Sequence, residues 1–268
     1  MLQTPDSRWR PTSWLALHAL AVLIMASWLW SPTRSLWDAA DVGAFHMLNG
    51  SLGHNDAWDV MWALASTRVW DVIVGGLMLL LFIRQDWVFP RSSVRRALFI
   101  FLGVLLVLVV VRVVFTKVGE AVGWQHASPS DQIAGAHFLS QQFPMFERLL
   151  EVKDRSSKSF PGDHASVLLT WGLFMAMFCQ GGKRMLFITL ALLFCMPRLV
   201  AGAHWFSDDF ASGLTIALLS LAWGYFTPIG AYVANGLEWC ARPFVALAGY
   251  IPGIRAMAVF EPEQAASR

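Results

Sequence analysis

Three stretches hold the residues whose types and spacing could do chemistry. SFPGDHASVLL (Ser159–Leu169) sets Asp163 and His164 at the mouth of an apolar run. An ionised Asp at the centre of a membrane helix costs about 2.5–3.5 kcal/mol on insertion scales, so a charged pair there needs a partner or a task. PRLVAGAHWFSDD (Pro197–Asp209) brings Arg198, His204, Asp208 and Asp209 close in sequence. His204 and Asp208 are i and i+4, so they share a face where the stretch is helical. The third stretch is the polar segment between Lys117 and Ser159, with HASPS (His126–Ser130) and KDRSSKS (Lys153–Ser159).

Together these residues match the needs of phosphoryl transfer. An imidazole attacks phosphorus when it is neutral and held in one tautomer, and a carboxylate on its other nitrogen does the holding. His204 with Asp208 fits that pair. A second histidine, His164, can protonate the leaving oxygen. Arg198 and Lys117 can neutralise the oxygens that gain charge in the transfer. Asp163, beside His164, is expected to favour its protonated form. No metal is needed for this chemistry. A metal site built from the two histidines and Asp163 or Asp208 is the competing reading, but tight ligand spacing is absent. A plain hydrogen-bonded pair is the structural alternative for His204 and Asp208, and a loop histidine is the alternative for His126. Arg68 and Asp71 read as a buried structural pair that orients the site, although intramembrane charge is functional by default. Arg112, about a turn below Lys117, reads as a snorkelling interface residue.

The elements that must position these groups are apolar. The chain has 268 residues, 56% hydrophobic and 14% charged, with 14 Trp. Ordinary soluble domains carry about 25% charge, so this is the composition of an integral membrane protein. A net charge of +2 gives no reason to expect a nucleic-acid partner. Cys179, Cys195 and Cys240 lack metal spacing, and the first two read as small packing residues. Six segments approach the roughly 20 apolar residues that a span requires: Trp14–Trp30, Asp59–Ile83, Ala97–Phe115, His164–Cys179, Met185–Ala203 and Phe210–Phe226. The first reads as a retained helix, since no small-residue cleavage site follows it.

Lys and Arg in short loops set the orientation. Arg8 and Arg10, then Arg84, Arg91, Arg95 and Arg96, then Lys183 and Arg184 fall on one side of six spans, which is therefore expected to be cytoplasmic. The other side has Arg34 in its first loop. Its second loop carries Lys117, Arg148, Lys153, Arg155 and Lys158 against the rule, which points to an anion site there. The tail Thr227–Arg268 is broken by Pro228, Pro243, Pro252 and Pro262 and is expected to lie at the cytoplasmic surface as one or two interfacial helices; a seventh span is the alternative, against which Glu238, Arg242 and the prolines argue.

These motifs carry a resemblance. RLVAGAHWFSD, with Arg198, His204 and Asp208 at their offsets, is similar to the third signature of the type 2 phosphatidic acid phosphatase (PAP2) superfamily. FPGDH stands where that superfamily usually has Pro-Ser-Gly-His, with Gly162 and Asp163 replacing Ser and Gly. SFPGDHA, HASPS and PRLVAGAHWF, with STRVWD (Ser66–Asp71) and FTPIG (Phe226–Gly230), resemble the lipid A 1-diphosphate synthase branch, the Kdo2-lipid A phosphotransferases of Gram-negative bacteria. The first signature departs: Lys117 is present, but His126 or nothing stands in the place of the Arg. Arg155 or Lys158 could replace it.

The resemblance implies an all-α bundle of six transmembrane helices over residues 1–230, with 231–268 as a tail. It implies phosphoryl transfer from undecaprenyl diphosphate to the 1-phosphate of lipid A at the periplasmic face of the inner membrane. His204 would become a phosphohistidine, oriented by Asp208, with His164 as acid and then base. Substrate-binding groups would be Lys117, Arg198, Asp163, Gly162, His126, Ser128, Arg155 and Lys158. No metal or other cofactor is implied. Two alternatives stay open: a lipid phosphate phosphatase with water as acceptor, and a lipid transporter that kept the fold without turnover.

Overall fold

The computed structural model describes residues 4–248, 250 and 258–260. Its order is α1 Pro11–Leu29, α2 Ser31–Asn49, α3 Asp56–Ala65, α4 Arg68–Ile83, α5 Val94–Val122, the short α6 Pro129–Gln132, α7 Leu139–Gln142 and α8 Pro144–Leu150, then α9 Asp163–Met177, α10 Gly181–Val200, a π-helical turn Asp208–Gly213, α11 Leu214–Gly224 and α12 Ile229–Ala248. Among the described residues there is no strand. One isolated antiparallel bridge joins Thr67 to Val152.

Local chemistry explains the boundaries. Pro sits in the first turn of α1 and α2, where its missing N–H costs nothing. Asn55 and Thr67 cap α3 and α4 by accepting from Trp58 N at 3.1 Å and Trp70 N at 3.3 Å. Gly123 ends α5 in the left-handed region, at φ 76°. The second apolar segment, expected as one helix over Asp59–Ile83, is two. The carbonyl of Ser66 accepts from Lys153 N at 2.9 Å and from Arg198 Nη1 at 2.8 Å, so it is turned out of the helical ladder and the chain breaks between α3 and α4. The helix α2 occupies what the sequence marks as a loop.

Helix α9 is the buried centre. It packs on α10, α11 and α5, and a Cβ at Gly172 would come within 2.5 Å of the Ala191 Cβ, so only glycine permits the α9–α10 approach. Phe82, Phe89, Phe101, Phe174, Phe178 and Tyr225 close one end in edge and tilted ring contacts. Side chains such as Val22, Leu23, Val72, Leu80 and Val110 form an exposed apolar exterior.

Among the described residues, two helices are long and apolar enough to cross a membrane: Pro11–Leu29 and the continuous Arg91–Val122. The pair Asp208–Gly224 and Ile229–Ala248 passes together but is bent by 76°. The tail thus begins as a single helix, α12. It runs back along α5, where Arg96 Nη1 donates to Asn235 Oδ1 at 2.6 Å and pairs with Glu238 at 3.2 Å. The tail prolines Pro252 and Pro262 lie outside the described residues.

Candidate active site

Six elements converge at the end of the bundle away from that aromatic cluster. The start of α4, the last turns of α5, the loop before α9, the first turn of α9, the end of α10 and the turn after it enclose a cavity of about 620 Å³. Arg68, Asp71, Arg112, Lys153, Arg155, Lys158, Asp163, His164, Arg198 and His204 all line it.

The turn that carries His204 is held from several sides. Arg198 O accepts from Ala203 N at 2.9 Å. Asp41 of α2 accepts from Ser207 N at 2.6 Å and from Ser207 Oγ at 2.7 Å. Burial raises the Asp41 carboxyl to about 6, against the lowering by those two bonds. The preceding loop is pinned by Phe160, buried and stacked on Trp28 at a centroid distance of 4.8 Å, just before the cis Phe160–Pro161 bond. Gly162 then donates to Asp208 O and to Ser212 Oγ, both at 3.1 Å. A Cβ at that position would meet Asp208 O at 2.5 Å and Asp209 Oδ1 at 2.6 Å. Gly162 is therefore a packing requirement that brings the start of α9 against the Asp208 turn.

Within the cavity, His204 Nδ1 lies 2.9 Å from Ser159 O and 3.6 Å from Asp208 Oδ2, while Nε2 lies 3.9 Å from Asp163 Oδ1. A carbonyl can only accept, so Nδ1 carries a proton and Nε2 is the nitrogen turned toward the cavity. Burial lowers the His204 pKa, but the close contact with Asp208 and the charges of Asp209, Asp208 and Asp163 outweigh it and bring it to about 9. Asp208 also accepts from Trp205 N at 2.9 Å and from His126 Nε2 at 2.9 Å.

His164 Nε2 lies 3.7 Å from Asp71 Oδ1, and Asp71 Oδ2 accepts from Arg198 Nη2 at 2.6 Å. Two expectations change here. Asp163 makes no hydrogen bond with the His164 ring; its Oδ1 accepts from the His164 main-chain N–H at 2.7 Å and its Oδ2 faces Arg112 at 3.8 Å. Arg68 and Asp71 are not a pair with each other: Arg68 binds Glu151, and Asp71 binds Arg198.

The structure thus brings together His204, His164, Asp208, Arg198, Asp163, Gly162, Arg155 and Lys158. It sets three anticipated residues apart. Lys117 points outward and donates to Glu120 at 2.9 Å. Ser128 is buried in the loop, accepting from Ser156 N at 2.9 Å. His126 stands behind Asp208, with Nδ1 on Trp124 O at 3.0 Å. Both of its partners are acceptors, which favours the imidazolium. Burial opposes that charge, yet Asp208 prevails and the His126 pKa is raised. The residue pattern gives Asp71 an orienting role, with Arg68 as its partner, and leaves Arg112, Asp41 and the Ser159 carbonyl out of the site. Intramembrane charge is the signal for Arg112; a main-chain carbonyl leaves none.

Beyond Phe160, whose ring meets Phe115 and Trp124, an apolar groove of about 700 Å³ runs between α5, α11 and the start of α12.

A cavity lined by paired histidines and arginines, set at one end of a helical bundle with an apolar exterior, can hold a phosphate group. Residues 122–229 match the family model described as PAP2 superfamily. The match takes in α6 to α11 and both histidine motifs. More particularly, the chain is 28% identical over 219 residues to the lipid A 1-diphosphate synthase of Escherichia coli (strain K12), covering 80% of this chain and 86% of that one. This similarity supports the branch to which the motifs point. No solved structure matches the chain.

Proposed function

We propose that this protein is a lipid phosphotransferase that moves the terminal phosphoryl group of undecaprenyl diphosphate to the 1-phosphate of lipid A. The observation that carries the reading is the aim of His204: Nδ1 is held by Ser159 O, and Nε2 faces a cavity lined by Arg112, Arg198 and His164. Nε2 attacks the terminal phosphorus, and the bond from phosphorus to the bridging oxygen breaks. His164 gives its proton to that oxygen, releasing undecaprenyl phosphate. An oxygen of the lipid A 1-phosphate then attacks the phosphohistidine, His164 takes the acceptor's proton, and the N–P bond breaks. Arg198 and Arg112 hold the equatorial oxygens. Arg112 takes the place that the first signature gives to an Arg. Asp163, facing Nε2, places negative charge beside the ring, and His204 gives its Nε2 proton to solvent before attack.

The apolar groove beside Phe160 suits a long hydrocarbon chain whose head group lies in the cavity. Orientation follows from charge. Arg10, Arg84, Arg96, Lys183 and Arg184 gather at the end opposite the cavity, where Arg10 N donates to Phe226 O at 3.1 Å and Lys183 Nζ to Trp87 O at 2.9 Å. That end is cytoplasmic, six segments span the inner membrane of a bacterium, and the cavity opens to the periplasm.

Water as acceptor would make the same site a phosphatase. Radiolabelled undecaprenyl diphosphate, supplied to purified protein with and without lipid A, separates the two. Label on lipid A supports the proposal. Inorganic phosphate as the sole labelled product, with lipid A present, contradicts it. Lipid binding without any turnover would mean a transporter.

A further inference from the structure

We infer that the rim of the cavity is a second anion subsite, built from Arg68, Lys153, Arg155 and Lys158, that takes the phosphate of the acceptor lipid. This rests on the phosphotransferase reading and adds where the acceptor lies.

The cations around the cavity fall into two sets. The inner ones, Arg198 and Arg112, each face a carboxylate that also lines the cavity, Asp71 at 2.6 Å and Asp163 at 3.8 Å. Of the rim ones, Arg155 has its own carboxylate, Asp154, at 3.5 Å, and the other three are under-matched. Arg68 and Lys153 share one carboxylate, Glu151, at 3.5 Å from Lys153 Nζ. Lys158 shares Glu120 with Lys117, at 3.3 Å and 2.9 Å. Neither glutamate lines the cavity. One carboxylate between two cations leaves a positive charge at each pair; Arg68, Lys153 and Lys158 line the opening, and Lys117 lies outside it. A cleft edged with charge of one sign concentrates ions of the other.

The volume agrees. A diphosphate has nine non-hydrogen atoms and, at a generous water-sized share of about 30 Å³ each, fills about 270 Å³. The cavity of about 620 Å³ leaves room for a second head group. That group must present an oxygen to phosphorus on His204, and it meets excess positive charge, so its class is a phosphorylated lipid and not water. A hydrolase would need no charge there.

The two half-reactions test this separately. Phosphoenzyme is formed from labelled undecaprenyl diphosphate alone and then chased with lipid A. In an Arg68→Gln/Lys153→Gln double variant, losing two charge-assisted contacts should raise the lipid A concentration for half-maximal chase about tenfold or more. Phosphoenzyme formation should change far less. Arg68→Lys/Lys153→Arg should restore the chase. Slower phosphoenzyme formation with an unaltered chase would place the donor on the rim and overturn the inference, as would no change in either. Equilibrium binding of lipid A to the protein in nanodiscs reads the subsite without turnover. Weaker binding by the double variant supports it and equal binding overturns it, even where failure to form any phosphoenzyme has removed the phosphohistidine mechanism.

Discussion

The Nδ1 atom of His204 lies 2.9 Å from the carbonyl oxygen of Ser159, nearer than the 3.6 Å that separates it from Asp208 Oδ2. The tautomer of the proposed nucleophile is therefore fixed by a main-chain acceptor, with Asp208 adding charge. Where a carboxylate alone sets the tautomer, as in serine protease triads, its conversion to the amide costs about 10⁴-fold. Here Ser159 O still holds Nδ1–H, so Asp208→Asn should lower turnover by about 10²-fold or less. Measured kcat for this variant decides; a loss near that of the protease triads would show that Asp208, and not Ser159, sets the ring.

The pH dependence follows from the same ring. Its pKa is raised to about 9, so at neutral pH His204 is mostly imidazolium and cannot attack. The reactive neutral fraction grows as pH rises toward that value, so phosphoenzyme formation from an activated aryl phosphate, which needs no proton from His164, should gain up to about tenfold per pH unit between pH 7 and 8.5 and level off above that value. Asp163 is one of the charges that raise this pKa. Asp163→Asn should therefore move the rising limb to lower pH. A pre-steady-state pH profile of the donor half-reaction checks both, and a flat profile would contradict them.

His164 should show itself through the leaving group. Removing a general acid typically costs about 10²–10⁴-fold. His164→Ala should pay that on undecaprenyl diphosphate and recover part of it on an activated aryl phosphate, whose leaving oxygen needs no proton. Comparison of kcat/KM for the two donors tests the role. Equal losses on both would mean that His164 is not the acid.

Arg112 and Lys117 exchange importance relative to expectation. Arg112 lines the cavity beside Asp163, whereas Lys117 is exposed and tied to Glu120. Arg112→Gln should lower kcat/KM by at least about tenfold, the scale of one charge-assisted contact, and Lys117→Gln by little. The reverse order would return the clamp to the first signature.

The all-helical fold and the two motifs that build the centre were legible because chemistry and hydropathy are written in residue types. Arg198, His204 and Asp208 keep fixed offsets on the α10-to-α11 turn, and His164 opens α9, so side-chain identity and spacing located them. What escaped depends on long-range contacts. The break at Ser66 exists because its carbonyl serves Lys153 and Arg198, residues far along the chain. Asp71 belongs to Arg198 and His164 for the same reason. Arg112 and Lys117 lie on one helix, and only the packing of α5 decides which of them faces inward. The α2 helix, apolar on too narrow a face to read as a span, contributes Asp41 to the His204 turn.

The most direct test of the central claim is the site of phosphorylation. The protein is incubated with labelled undecaprenyl diphosphate, quenched in alkali to preserve phosphohistidine, digested, and mapped by mass spectrometry. Phosphate on His204, absent from His204→Ala and present, if slowly formed, in His164→Ala, is the predicted result. Phosphate on His164 or on any other residue, or a phosphoenzyme that survives in His204→Ala, would contradict it.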